Sequence, residues 1–303
     1  MRIRNVLAVC ALFSLVGAAA CEQRPAAEPI KEVTGTSAVP FNSAPTSSAV
    51  ALPAASATAS ATPSAAPSYR AAEPFAVSDA HKKIVDAADR SADDKAMDAG
   101  RHPGEMLSFF GITQGMRVAE LAAGGGYTAE LLARTVGPKG KVWGHNSKFL
   151  LERFAEKPWS ERLKKPAMKG VVRVDRDFDE PLPADAKELD AVFMVLFYHD
   201  TVWLKTDRAK MNANIFKALK PGGIFALIDH SGRPGTGVSE GESLHRIDEE
   251  TVKQEVLAAG FKLDGEAHFL RNPNDTRDWN DSPRAAAEKR GTSDRFVLRF
   301  KKM

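Results

Sequence analysis

The 303-residue chain has few cysteines, no large cluster of basic residues and no long apolar run. Its two cysteines are too few for a disulfide framework or a zinc–cysteine cluster. Lys and Arg number 42 against 39 Asp and Glu, and no run of Lys or Arg exceeds two residues. A nucleic-acid partner that binds by charge is therefore not expected. Hydrophobic residues make up 43% of the chain, which is enough for a packed core.

The first twenty residues are typical of a secretory signal peptide. Arg2 and Arg4 give a positive start, and the apolar run over 6–17 is shorter than the roughly 20 residues of a spanning helix. Three alanines then precede Cys21. This junction resembles the processing site of bacterial lipoproteins, which implies cleavage before Cys21, lipidation of its thiol and a membrane anchor. The alternative is an ordinary signal peptide, which leaves a free thiol.

Residues 21–73 are predicted to form a disordered linker behind the lipidated cysteine. From Val33 to Tyr69 there is no charged residue, and Ala, Ser, Thr and Pro dominate. Such a segment buries too little apolar surface to offset the entropy of ordering it. Interspersed proline disfavours the alternative of an alanine-rich helix. The folded domain is expected over residues 74–303, a length that suits one α/β domain.

Helical and strand patterns alternate along the predicted domain. The predicted helices cover 78–90, 103–110, 127–136, 149–163, 208–219 and 249–259, and the predicted strands cover 116–121, 141–144, 171–174, 189–196, 224–228, 261–270 and 294–300. Strict alternation predicts a doubly wound, Rossmann-like α/β fold with a mostly parallel seven-stranded sheet. The last two strands have no helix between them, which predicts an antiparallel C-terminal edge.

A glycine-rich turn follows the first predicted strand and opens a helix. The residues of interest are Glu120, Ala122, Gly124, Gly125, Gly126 and Tyr127. Glycine lets a ligand approach the backbone closely, and this edge of an open α/β sheet is where nucleotides bind. The alternative is a flexible loop without a ligand.

This segment resembles the first motif of class I S-adenosylmethionine-dependent methyltransferases, through Glu120, Gly124 and Gly126. Ala122 replaces the motif's first glycine, which is a mild change if its φ is negative. Residues 219–223, Leu-Lys-Pro-Gly-Gly, resemble a second landmark of that family. With the motifs at 197–200 and 244–248, the chain looks most like a bacterial group of predicted methyltransferases. The resemblance implies S-adenosylmethionine as cofactor and leaves the methyl acceptor open.

In that family an acid after the second strand binds the ribose hydroxyls. Asn146 occupies the position here, and its amide can still donate and accept hydrogen bonds. The change also disfavours an NAD site, which calls for an acid about 20 residues beyond the glycines. Asp175 and Asp177 follow the third strand and are candidates to bind the adenine amine, beside Phe178. Both acids have the alternative of being solvated loop residues.

His199, Asp200 and His230 are the candidate catalytic residues, since they follow strands four and five at the same sheet edge. His199 is predicted to act as a base and Asp200 to orient it. The alternative for Asp200 is a helix N-cap. His245 and Arg246 are either part of this site or a surface pair with local salt bridges. The spacing contains no metal-binding motif, and no metal is expected.

The sequence thus predicts a lipid-anchored methyltransferase that faces the periplasm or exterior and acts on a small-molecule or envelope substrate. The methyl donor is made in the cytoplasm, so an exported enzyme would need a supply of it. A tethered nucleoside-binding module without turnover is the alternative. A dinucleotide-dependent oxidoreductase is a third hypothesis, disfavoured by Asn146.

Overall fold

The computed structural model describes residues 70–303. The predicted signal peptide, the lipidated Cys21 and nearly all of the predicted linker lie outside these residues. Within the described part of the chain, no helix combines the length and apolar character needed to cross a bilayer.

Seven strands form a single sheet. They are β1 (Arg117–Leu121), β2 (Lys141–Asn146), β3 (Val171–Asp175), β4 (Leu189–Val195), β5 (Leu219–His230), β6 (Lys262–Ala267) and β7 (Arg295–Lys301). Their order is β3-β2-β1-β4-β5-β7-β6. Strands β1 to β5 pair in parallel, and β7 is antiparallel to both β5 and β6. The predicted Rossmann-like sheet with an antiparallel C-terminal edge is confirmed.

The strand order reverses at β1, because the chain moves outward through β2 and β3 and then returns to place β4 on the other side of β1. The carboxyl ends of β1 and β4 therefore flank a crevice at the switch point. Open α/β sheets bind their ligands in this crevice.

Ten α-helices lie in the described residues. They are α1 (Asp79–Val85), α2 (Ala92–Arg101), α3 (Pro103–Phe109), α4 (Tyr127–Val136), α5 (Lys148–Leu150), α6 (Glu156–Leu163), α7 (Asp200–Trp203), α8 (Arg208–Ala218), α9 (Gly241–Leu244) and α10 (Glu249–Ala258). Apolar residues of α3 and α4 pack on one face of the sheet with Val118, and those of α8 and α10 pack on the other with Ala119 and Leu121. Successive residues of β1 thus point to opposite faces and join separate cores.

The predicted helix over 78–90 ends at Val85, and a separate helix, α2, follows it. The side chain of Ser91 accepts a hydrogen bond from the backbone of Asp94, which caps α2 and starts a new helix. Arg90 lies buried between the two helices and pairs with Asp98. Helix α2 was not predicted from the sequence, and its last residues approach the switch point.

The predicted helix over 149–163 is interrupted by a π-helical turn at Leu151–Ala155. Pro158 follows in α6. It cannot donate a backbone hydrogen bond, so the series of backbone hydrogen bonds along the helix is interrupted there. The Leu-Lys-Pro-Gly-Gly landmark joins α8 to β5 as expected. Leu219 pairs with Leu189 and Ile224 with Ala191, so residues 220–223 form a bulge in β5.

Candidate functional site

The loop that leaves β1 has a left-handed backbone at three positions. Gly124 and Gly126 have φ of 56° and 83°, and Ala122 has φ of 55°. The replacement of glycine by Ala122 would be mild only at a negative φ, and this condition is not met. A left-handed alanine costs roughly 1–2 kcal/mol because its Cβ crowds the following carbonyl. The loop therefore holds a strained residue where the family resemblance has glycine.

We expect Ala122→Gly to raise the free energy of unfolding by about 1 kcal/mol, because glycine removes the Cβ crowding. For a domain of this size the melting temperature should rise by about 2–4 °C. Ala123→Gly is the matched control. Ala123 is absent from the positive-φ residues, so its replacement should lower stability. A lower melting temperature for Ala122→Gly would show that the backbone of Ala122 is not strained.

The three glycines differ in what surrounds them. A Cβ on Gly124 would meet no protein atom within 4 Å, whereas one on Gly125 would touch Pro158 at 3.4 Å. A Cβ on Gly126 would lie 2.5 Å from the ring of Trp159, so the rear of the loop is packed. The open side of the loop is therefore at Gly124.

Asn146, at the end of β2, is fully buried and bonds to this loop. Its Oδ1 accepts from Gly124 N at 2.8 Å, and its Nδ2 donates to Gly124 O at 3.2 Å. The predicted ribose-binding amide thus holds the glycine loop in place.

His145 also supports the glycine loop, and the sequence analysis did not assign it a role. Its carbonyl accepts from Ala123 N, and its Nε2 contacts Arg176 O at 2.8 Å. Burial lowers the pKa of His145 to about 4, so its imidazole is neutral. A histidine directly after the predicted strand over 141–144 was the available signal.

The two acids after β3 have different surroundings. Asp175 is half-exposed, and both of its carboxylate oxygens accept from Nε of Arg173 at 2.9 Å. Asp177 is exposed. Phe178 is buried and stacks on Phe197 with ring centroids 4.9 Å apart. The aromatic pair gives this edge of the sheet an apolar wall beside the two carboxylates.

Glu120 is buried at the carboxyl end of β1. Burial raises its pKa to about 8, although the side chain of Thr128 and the backbone of Ala129 bond to it. Among the described residues its Oε2 has no hydrogen-bond partner. A protonated, partly unsatisfied carboxyl group at a switch point can bind a polar ligand atom.

A cavity of about 10 Å³ lies at the switch point, beside Arg101, Tyr127 and Thr128. This is about the volume of one water. A second cavity, of about 210 Å³, is lined by the end of α2 and by the segment between β6 and β7. Leu270 and Arg295 line both cavities, so the two are neighbours.

Tyr127 begins α4 and connects the glycine loop to α2. Its hydroxyl donates to Asp98 Oδ1 at 2.6 Å, and the guanidinium of Arg101 lies 4.7 Å from its ring centroid. Burial raises the pKa of Tyr127, so the hydroxyl keeps its proton. Helix α2 thus covers the start of α4, which places Arg101 at the mouth of the switch-point cavity.

The residues at β1 fit an adenosyl sulfonium cofactor better than those at β2. Gly124 leaves room beside the backbone, and the orphaned Oε2 of Glu120 can accept a hydrogen bond. Asn146 uses one N–H and one lone pair of its amide on Gly124, and its side chain is fully buried, so a ribose cannot reach it in this arrangement.

The candidate catalytic residues converge at the carboxyl ends of β4 and β5. His199 is buried, and its Nδ1 lies 2.7 Å from Oδ1 of Asp229, whose Oδ2 accepts from the backbone of His199. Nε2 of His199 lies 3.2 Å from Asp200 Oδ1, and Nδ1 of His245 lies 2.9 Å from the same oxygen. The ring of His230 is 5.4 Å from that of His199.

The charges in this cluster follow from burial and from the two carboxylates. Burial opposes the charge of His199, but Asp229 and Asp200 outweigh it and raise its pKa to about 10. The pKa of Asp200 is lowered despite burial, because His199 and His245 bond to it. Burial lowers the pKa of His230, although Asp281 bonds to it. At neutral pH, His199 is charged and His230 is not.

Two alternatives from the sequence are wrong. Asp200 is the first residue of α7, whose N-cap is His199, so Asp200 is not the cap. Arg246 is fully buried and pairs with Asp275, so it does not belong to a surface pair. The role of Asp229 as the partner of His199 could have been inferred, because β4 and β5 were both predicted to end at this edge.

The segment between β6 and β7 packs against the histidine cluster. Asp281 lies against His230, and the guanidinium of Arg277 donates to Gly232 O at 2.9 Å. Asp275 binds Arg246, the neighbour of His245. These contacts make the segment a cover over the histidine cluster rather than a loose polar loop.

Comparisons with known proteins show what the chain is similar to. Residues 119–227 match a family model described as a methyltransferase domain. No curated protein matches the chain. A SAM-dependent methyltransferase from Aquifex aeolicus is 18% identical, with 74% of this chain and 97% of that chain covered and a TM-score of 0.49. A putative sarcosine dimethylglycine methyltransferase from Galdieria sulphuraria is 13% identical, with 75% and 92% covered and a TM-score of 0.48.

Fibrillarin from Aeropyrum pernix, solved with S-adenosylmethionine bound, is 14% identical, with 62% of this chain and 67% of that chain covered and a TM-score of 0.41. The matched domain covers the strand, the glycine loop and the landmark at 219–223 that carried the resemblance in the sequence. Over residues 119–227 the chain is therefore similar to a methyltransferase domain.

Proposed function

We propose that the chain is a membrane-anchored methyltransferase that transfers a methyl group from S-adenosylmethionine to a small-molecule or envelope acceptor. The observation that carries the proposal is the glycine loop at the switch point. Its Gly124 leaves open space beside the backbone, and the orphaned oxygen of Glu120 lies in the strand that leads into the same loop. Nucleotide-like ligands bind in this place in open α/β sheets.

S-adenosylmethionine supplies an electrophilic methyl group on a positively charged sulfur. The chain's own contribution is to position the acceptor in line with it, and such positioning alone can remove several kcal/mol of barrier. The glycine loop would hold the adenosyl part, and the edge at β4 and β5 would hold the acceptor. An acceptor hydroxyl or amine must lose a proton, and His230 is the uncharged histidine at that edge.

Calorimetry on the full chain in detergent tests the proposal. S-adenosylmethionine and S-adenosylhomocysteine should bind one per chain, and NAD should not. If neither sulfur compound binds, the methyltransferase proposal fails. Binding followed by transfer of a labelled methyl group to an envelope extract would support the enzyme over a binding module.

We expect Gly124→Val to abolish cofactor binding, because its side chain would fill the open space beside the loop. Gly111→Val is the matched control. Gly111 also has a positive φ, of 67°, and a Cβ there would meet nothing within 4 Å. It precedes β1 and so lies at the opposite edge of the sheet. Both variants should lose similar stability in thermal unfolding, and only Gly124→Val should lose binding. Unchanged affinity in Gly124→Val would place the pocket elsewhere.

The second candidate function is a tethered nucleoside-binding module without turnover. It is favoured by the engagement of Asn146 with Gly124 and by the small switch-point cavity. Such a module would bind S-adenosylhomocysteine as tightly as S-adenosylmethionine and would release no methylated product.

The membrane anchor is a further part of the proposal, and its support is the Ala-Ala-Ala-Cys junction at residues 18–21. We expect the chain to incorporate a radioactive fatty acid in a bacterial host, because Cys21 would carry acyl chains. Cys21→Ala should remove the label, and Cys10→Ala, which alters a cysteine within the signal peptide, should keep it. Label on the Cys21→Ala variant would contradict the anchor.

A further inference from the structure

We propose that His199, Asp200 and His245 bind one divalent transition-metal ion at the carboxyl edge of the sheet. This site goes beyond methyl transfer and does not depend on it. The three ligand atoms are Nε2 of His199, Oδ1 of Asp200 and Nδ1 of His245, and all lie within 4.8 Å of one another. No close-spaced motif marks them in the sequence, because His245 comes from a distant segment.

The separations suit a common ion. Asp200 Oδ1 is 3.2 Å from Nε2 of His199 and 2.9 Å from Nδ1 of His245. Metal–ligand bonds of about 2.0–2.2 Å place neighbouring ligand atoms roughly 3–3.5 Å apart. The third separation, between Nε2 of His199 and Nδ1 of His245, is at most 4.8 Å, so the two imidazoles have to turn toward each other by at most about 1–2 Å to share one ion.

Asp229 orients the first histidine for this role. Its Oδ1 lies 2.7 Å from Nδ1 of His199, and its Oδ2 accepts from the backbone of the same residue. An ion that binds here displaces the proton from Nε2 of the charged imidazole, and the proton that stays on Nδ1 then directs the freed lone pair of Nε2 toward Asp200 and His245. Metal-binding histidines commonly donate their second N–H to a carboxylate in this way.

The surroundings also favour a cation. Asp200 and Asp229 bring two carboxylates into a site where their side chains are 14% and 0% exposed. The indole of Trp203 donates to Asp200 at 2.7 Å and so helps to fix it. An ion bound to Asp200 would supply the positive charge that the two acids require.

The site has an open side at His245, whose side chain is 23% exposed. Three protein ligands leave a position for water or for a ligand atom, as in catalytic metal sites. Two imidazoles and one carboxylate suit zinc or cobalt better than magnesium or calcium, which prefer oxygen ligands alone.

The test uses the full chain in detergent, purified through a tag without histidine and stripped with a chelator. Zn²⁺ and Co²⁺ are then added alone. We expect one ion per chain and, with Co²⁺, visible absorption bands of nitrogen and oxygen ligands. If the chain does not bind one ion per chain, the three side chains form a hydrogen-bonded cluster only, and the proposal is wrong.

His245→Asn should weaken Zn²⁺ binding at least tenfold, because asparagine tolerates the left-handed backbone at this position but removes the ligand. The matched control is His102→Asn. His102 has φ of 48° against 53° for His245, and its Nδ1 also lies near a carboxylate, at 3.1 Å from Glu105. It has no second histidine beside that acid, and its replacement should leave Zn²⁺ affinity unchanged. Equal loss in both variants would overturn the assignment.

Asp229→Asn adds a readout that a ligand deletion cannot give. It keeps the size of the side chain and removes the charge that orients His199, so Zn²⁺ affinity should fall 10- to 100-fold while the stoichiometry stays at one. Unchanged affinity would show that Asp229 does not support a metal site.

Discussion

Asp275→Ala is expected to lower the free energy of unfolding by about 3–5 kcal/mol, because it leaves the charge of Arg246 buried without its partner. Both side chains are 0% exposed, and Arg246 Nη1 lies 2.7 Å from Asp275 Oδ2. The same carboxylate also accepts from the backbone of Asp294 and from the indole of Trp279. Urea unfolding followed by circular dichroism measures the loss.

Asp278→Ala is the control for this prediction. Asp278 lies three residues further along the same segment, is exposed and bonds to Thr276. Its replacement should change the free energy of unfolding by less than about 0.5 kcal/mol. A small effect of Asp275→Ala would mean that the segment between β6 and β7 opens easily. The segment would then not act as a rigid cover over the histidine cluster.

Glu120→Gln should stabilise the domain in alkaline solution by about 2–5 kcal/mol. Burial raises the pKa of Glu120 to about 8, against about 4.3 in an unfolded chain. The stability that its proton provides is fully present below pH 4.3 and is lost as the pH rises through 8. Glutamine cannot ionise, so the variant escapes this loss. Unfolding in urea at pH 4 and pH 8 should show the gain at the higher pH only.

Glu130→Gln is the matched control, with the opposite sign. Burial opposes ionisation of Glu130, but bonds from Lys165, Arg134 and Arg162 outweigh it and lower the pKa. Its contribution is present above the unfolded pKa of about 4.3 and is lost as the pH falls through the lowered value. The variant should therefore be less stable than the parent at pH 8. If Glu120→Gln behaved in the same way, Glu120 would be ionised in the native domain.

The sequence predicted the sheet well, because buried parallel strands carry continuous apolar runs that local pattern detects. The boundaries of α4 were also predicted, since glycines precede Tyr127 and follow Val136. The end of α1 at Val85 and the whole of α2 were not predicted. Helix α2 depends on its cap at Ser91 and on a tertiary contact, the pairing of Arg90 with Asp98.

The candidate site was predicted in part. Its edge of the sheet followed from the parallel strands, and so did the nearness of His199, Asp200 and His230. The contact with His245 could not be predicted in this way, because it depends on how α9 and the following turn fold back onto α7. The backbone of Ala122 could not be predicted either, since a left-handed alanine is rare and only the path of the loop requires it.

The position of β7 has a consequence for how the chain matures. This strand is the last of the seven in sequence order, yet it lies between β5 and β6 inside the sheet. Until β7 pairs, β5 and β6 have no shared neighbour and the sheet has a gap. The sheet is therefore complete only once residues 295–301 have been made, and loss of these residues should leave two unpaired edges open to aggregation.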